Sequence, residues 1–166
     1  INNTLTAALA TIKENNDIQF IWQTGKYYYP QVTEALRAAG ELPNLYVTDF
    51  IKDMAAAYAA SDLVISRAGA GSISEFCLLH KPVVLVPSPN VAEDHQTKNA
   101  LALVDKQAAI YVKDSEAEAK LMDVALNTVA DDRKLKELSE NIAKLALPDS
   151  ARIIAQEVIK LAEAEN

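Results

Sequence analysis

The sequence holds a single cysteine, Cys77, only four glycines in 166 residues, no excess of basic residues and no long apolar run. One cysteine cannot close an internal disulfide and supplies no thiolate cluster for a metal, so a reducing compartment is the simpler setting. Lys and Arg number 16 against 23 Asp and Glu, a formal net charge of −7. Proteins that bind nucleic acid or anionic lipid usually carry a basic stripe, so neither is expected as a direct partner and any phosphate must be held locally. No stretch approaches the roughly 20 apolar residues of a membrane span. The first residues lack the basic segment and apolar core of a secretory signal, and the chain is expected to be cytoplasmic. No Asp-x-Asp motif and no cluster of His and Cys occurs, so metal-independent chemistry without a cofactor is expected.

What remains is 50% hydrophobic, enough for one ordinary domain over residues 1–166. Apolar runs alternate with helical patterns: "IQFIWQ" (18–23), "NLYVTD" (44–49), "DLVIS" (62–66), "PVVLVP" (82–87) and "AAIYV" (108–112) read as strands. That alternation predicts an α/β fold, a Rossmann-like doubly wound parallel sheet with flanking helices. Between the strands, "VTEALRAAG" stops at Gly40, "KDMAAAYAA" is alanine-rich, and "SISEFCLLH" sets Ile73, Phe76, Cys77 and His80 on one face. "DHQTKNALALVDKQ" groups Ala100, Leu103 and Val104. Three further helices follow residue 113, the last opened by Asp149 and Ser150 after Pro148. The chain opens on a helical pattern, "INNTLTAALATIKENND", with no strand before it. A doubly wound sheet implies an earlier strand there. The sequence therefore reads as a piece of a longer protein, its sheet left with two unpaired edges and the piece itself fragile, dimeric or propped by a missing segment.

Two of the four glycines, Gly69 and Gly71, fall in "SRAGAGSISE", between a strand and a helix. Such a junction gathers unpaired N–H groups and the positive end of the helix dipole, an anion site. The glycines are expected to let the backbone turn sharply and an oxygen approach the amides of Ala70, Gly71 and Ser72. "SISE" equally fits a capping box, in which Ser72 and Glu75 satisfy each other's amides without a ligand. "TDFIKDM" (48–54) and "SPNVAEDHQTKNA" (88–100) also follow strands, so three loops converge on the rim where open parallel sheets bind ligands. His95, Gln96 and Asn99 stand there as hydrogen-bonding groups, or as an exposed cap with Asp94.

Together, "TDFIKDMAAAYAASDLVISRAGAGSISE" and "KPVVLVPSPNVAEDHQTKNA" resemble the donor-binding C-terminal domain of the MurG family, bacterial N-acetylglucosaminyltransferases that make the lipid-linked disaccharide of peptidoglycan. The resemblance implies the C-terminal half of a GT-B fold, binding UDP-N-acetylglucosamine, with the lipid-linked acceptor, the general base and the membrane contact all on the missing domain. It assigns Phe50 and Ile51 to the uracil with Met54 nearby, and Ala70, Gly71 and Ser72 to the diphosphate. Ile73 and Ser74 belong to the same segment, Glu75 takes the ribose hydroxyls, and His95, Gln96 and Asn99 lie toward the sugar. His95 departs from the paired glutamines of many relatives. Thr24 and Gly25 in "WQTGK" match the pattern without an assignable task, and Phe50 and Met54 also read as core residues. Three other readings stay open: a donor-binding subunit of a split lipid-linked N-acetylglucosaminyltransferase, a GT-B UDP-sugar epimerase, and a non-catalytic nucleotide-binding module.

Overall fold

The computed structural model describes residues 1–90 and 94–164. Residues 91–93, inside "SPNVAEDHQTKNA", lie outside it. The chain runs α1 (Asn2–Ala7), α2 (Leu9–Glu14), β1 (Phe20–Gln23), α3 (Tyr29–Ala39), β2 (Leu45–Thr48), α4 (Met54–Ala60), β3 (Val64–Ser66), α5 (Ala70–Leu78), β4 (Val83–Leu85), α6 (His95–Val104) and β5 (Ile110–Tyr111). A 3₁₀ turn at Asp114–Glu116 then leads into α7 (Ala117–Val129), α8 (Asp132–Ala143) and α9 (Ser150–Ala164). The five expected strands are present and parallel, each shorter than its apolar run. They form two sheets rather than one: β1 beside β2, with Gln23 opposite Thr48, and β3-β4-β5, with Ser66 opposite Leu85 and Leu85 opposite Tyr111. Among the described residues no strand pairs with the free edges of β1 and β3.

Strand β4 explains why the apolar run is unbroken. Val83 and Leu85 face a core shared with Phe76, Ala100 and Leu103, while Val84 and Val86 face the opposite core with Val112 and Leu121. All four are wholly buried, and each such side chain contributes about 1.5–3 kcal/mol. A third core joins Leu9, Ile12, Trp22 and Val32 beneath β1. The opening helical pattern is broken at Ala8, and α1 is tied to the end of β1: Trp22 Nε1 donates to Asn2 Oδ1 at 3.0 Å, and Asn2 Nδ2 to the Thr24 carbonyl at 2.9 Å. From Leu147 to Glu163 every residue is exposed.

Helix α3 stops at Gly40, with φ of 80°, as its sequence implies. Helix α5 departs from expectation, ending at Leu78 and leaving His80 off its face. His80 adopts φ of 53°, its N–H donating to the Cys77 carbonyl and that of Lys81 to Phe76. This is a Schellman closure with histidine where glycine is usual, which is why no local signal marks it.

Candidate functional site at the C-terminal strand rim

Gly69 caps α5 with φ −69° and ψ 141°, and the first helical bond runs from Ile73 N to Gly69 O at 3.0 Å. The amides of Ala70, Gly71 and Ser72 therefore have no carbonyl one turn behind them and project from the helix start. Neither glycine adopts positive φ, and a Cβ built on either meets nothing within 4 Å. The chain passes from β3 to α5 in three residues, 67–69, without calling on the left-handed conformation that glycine alone adopts readily. What the glycines supply is bare space over three amides, where a side chain would otherwise stand.

The capping box does not form. Ser72 lies inside the first turn, and the Glu75 carboxylate instead accepts from the Tyr58 hydroxyl at 3.1 Å. The Tyr58 ring stands edge-on to buried Phe76, centroids 5.9 Å apart. Met54, Tyr58 and Glu75 line an apolar groove of about 600 Å³ between α4 and α5. Asp53 caps α4 by accepting from Ala56 N at 2.9 Å, fixing where Met54 and Tyr58 enter. Ile73 packs against the core and Ser74 Oγ donates to the Ala70 carbonyl, so neither side chain joins the amide cradle.

Burial, and after it the hydrogen bond and negative charge of Glu75, raise the Tyr58 phenol above its ordinary 10.0. A pKa raised by folding means the folded state holds the proton more tightly, so this stabilisation is complete below pH 10 and lost as pH rises through the folded value. Urea midpoints followed from about pH 9 to 11 should fall more steeply in the parent protein than in Tyr58→Phe. Equal slopes would contradict the Tyr58–Glu75 coupling.

The loop before α5 is held from α6. Gln96 Oε1 accepts from Ala68 N at 3.2 Å and from Ser88 N at 2.9 Å, and Asn99 Nδ2 donates to the Ala68 carbonyl at 3.1 Å. Both polar atoms of wholly buried Ala68 are therefore satisfied by residues expected to face a ligand. Gln96 joins the ends of β3 and β4, and among the described residues none accepts from its amide N–H₂; Asn99 acts on the loop. His95 begins α6 on the exposed rim. Arg67, whose role the sequence did not disclose, donates to the Val86 and Pro87 carbonyls and pairs with Asp114. A basic residue directly before the glycine loop was the available signal.

Across the rim, Phe50 is 62% exposed, which excludes the core reading for its ring, and Met54 lines the groove. Thr24 and Gly25 extend the β1–β2 ladder, donating to the Thr48 carbonyl at 3.0 Å and the Asp49 carbonyl at 3.1 Å, and Gly25 then turns away at φ 76°. These two bonds tie the end of β1 to the start of the loop carrying Phe50 and Ile51. Among the described residues no group of three or more His, Cys, Asp and Glu could hold a metal ion, and no helix is long and apolar enough to cross a membrane.

Residues 1–154 match the glycosyltransferase family 28 C-terminal domain. Over all 166 residues the chain is 99% identical to 45% of a Bacteroides thetaiotaomicron protein named UDP-N-acetylglucosamine–N-acetylmuramyl-(pentapeptide) pyrophosphoryl-undecaprenol N-acetylglucosamine transferase. A Porphyromonas gingivalis protein of the same name is 50% identical over 167 residues, covering 99% of this chain and 43% of the relative. The chain thus spans under half the length of these curated relatives. The crystal structure of Acinetobacter baumannii MurG superposes with a TM-score of 0.80 at 29% identity, covering 96% of this chain and 45% of that one. A glycosyltransferase of kitacinnamycin, at 20% identity and a TM-score of 0.58, shares the fold. A strand rim with an amide cradle, the GT-B half it superposes on and a family match over 154 residues agree: this chain belongs to the glycosyltransferase family 28 C-terminal domains.

Proposed function

We propose that the chain is the donor half of a two-domain, inverting N-acetylglucosaminyltransferase that acts on a lipid-linked muramyl-pentapeptide at the cytoplasmic face of the membrane. The observation that carries this reading is the open cradle of three amides at Ala70–Ser72, beside a groove bearing Glu75. The diphosphate of UDP-N-acetylglucosamine occupies the cradle, Glu75 accepts from the ribose hydroxyls, the base lies at Phe50 and Ile51, and the sugar faces Gln96 and His95. In the reaction the acceptor's 4-hydroxyl oxygen bonds to C1 of the sugar as the bond from C1 to the diphosphate breaks, inverting that carbon. The hydroxyl proton passes to a base on the other domain, and the bonding electrons leave with UDP. The amides and the dipole of α5 receive that growing charge; the dipole alone contributes about 0.3–1 kcal/mol, up to about 2 when partly buried. Only the part that strengthens as the bond breaks accelerates transfer. The acceptor and the membrane contact are assigned to the other domain, and a strand completing this domain's sheet between β1 and β3 to the segment just upstream of α1.

Calorimetric titration of UDP-N-acetylglucosamine into the full-length protein tests this. Binding should be measurable and about tenfold weaker in Glu75→Ala, the loss of a charge-assisted pair of hydrogen bonds. Residues 1–166 alone should transfer no sugar. Undiminished affinity in the variant would remove Glu75 from the ribose, and robust transfer by residues 1–166 would contradict the division of labour.

A further inference from the structure

Tyr58 is the one aromatic residue of α4, a helix otherwise made of Met54 and alanines. Its hydroxyl is placed from three directions. The ring stands edge-on to wholly buried Phe76, Asp53 fixes the start of the helix, and at the other end Ser61 Oγ donates to the Tyr58 carbonyl at 3.1 Å. Lys81, the cation lining the same groove, donates to the Ser61 carbonyl at 2.7 Å and so anchors that end to the segment after α5. Glu75 is the opposite case. It is exposed, and among the described residues only Tyr58 donates to its carboxylate. Side chains of a helix lean toward its N-terminus, over the residues three and four positions back. For Glu75 those are Ser72 and Gly71, whose amides belong to the cradle. An unheld carboxylate is drawn to that positive helix end, away from the groove.

Resting on the reading that the ribose lies at Glu75, we infer that Tyr58 is a positioning residue for the donor: its hydroxyl, presented from α4, holds the Glu75 carboxylate over the groove, where the ribose hydroxyls reach it. The contact leaves room for them. A carboxylate has about four lone-pair sites and Tyr58 takes one, so both hydroxyls still find acceptors. A binding group fixed beforehand loses less freedom when the ligand arrives. Tyr58 acts through Glu75, so its effect on selectivity is confined to the ribose and vanishes where Glu75 is absent.

UDP and its dideoxyribose analogue, which lacks both ribose hydroxyls, titrated into the full-length protein and its variants test the assignment. The parent should prefer UDP by about tenfold, and Glu75→Ala should bring that ratio to about one. Tyr58→Phe keeps the ring against Phe76 and removes only the hydroxyl, so the ratio should fall to about two. In the Glu75→Ala background Tyr58→Phe should change the ratio no further, as expected of a residue that acts through its partner. Asp53→Ala frays α4 with the hydroxyl in place and should weaken both nucleotides by the same factor. If the parent shows no preference, or Glu75→Ala keeps it, the ribose reading itself fails. If those two behave as stated but Tyr58→Phe keeps the parent's ratio, or still lowers it without Glu75, or Asp53→Ala lowers it as far, the role of Tyr58 is overturned while the ribose stands at Glu75.

Discussion

Gly71→Asp should leave the fold intact or stabilise it while lowering the affinity for UDP about 100-fold, near 2.7 kcal/mol. The two effects have separate origins. Gly71 lies in the first turn of α5 without positive φ, and a Cβ there meets nothing within 4 Å. Replacing a helical glycine recovers about 0.5–1 kcal/mol of backbone entropy, and a carboxylate at a helix start adds about 0.3–1 kcal/mol with the dipole. For the ligand the change is adverse, because the same carboxylate fills the space over the amides and repels the diphosphate. Thermal melting and calorimetry on one preparation separate the outcomes. Unchanged UDP affinity would show that the diphosphate does not use this cradle.

Gln96 is expected to produce the largest loss of stability among the site residues. In Gln96→Leu the Ala68 and Ser88 amides lose their shared acceptor, and Ala68 is wholly buried, so water cannot replace it there. An unsatisfied buried donor costs about 1–3 kcal/mol, and the pair should cost about 3 kcal/mol in denaturant unfolding. Gln96→Glu retains an accepting oxygen and should recover most of that stability. It removes the amide N–H₂, so UDP affinity should persist while the added affinity conferred by the sugar falls. If Gln96→Leu is as stable as the parent, the bridge between the β3 and β4 ends carries little energy. If Gln96→Glu binds UDP and UDP-N-acetylglucosamine as the parent does, Gln96 is structural only.

The strands and the placing of the site on their rim were legible because they depend on local pattern. "PVVLVP" has alternate residues facing two different cores, and Pro82 and Pro87 bound it. The helix limits were less legible, because their signals are ambiguous. "SISE" satisfies a capping-box pattern, yet the helix is capped by the extended Gly69, three residues before Ser72. His80 ends the same helix in a conformation usually given to glycine. The side-chain roles least visible in sequence were those set by tertiary contact. Tyr58 reaches Glu75 across 17 positions, Gln23 reaches Ile51 across 28, and Asn99 reaches Ala68 across 31. Residues picked out for a ligand, Gln96 and Asn99, also hold the loop that forms the cradle. A sequence motif records that these residues belong together without saying which touches the substrate and which positions its neighbour.

A crystal structure of the full-length protein with UDP-N-acetylglucosamine bound tests the central claim most directly. Pyrophosphate oxygens should lie about 3 Å from the amide nitrogens of two or more of Ala70, Gly71 and Ser72, with the ribose at Glu75. A pyrophosphate seated elsewhere on the rim, with those three amides facing only solvent, would contradict it.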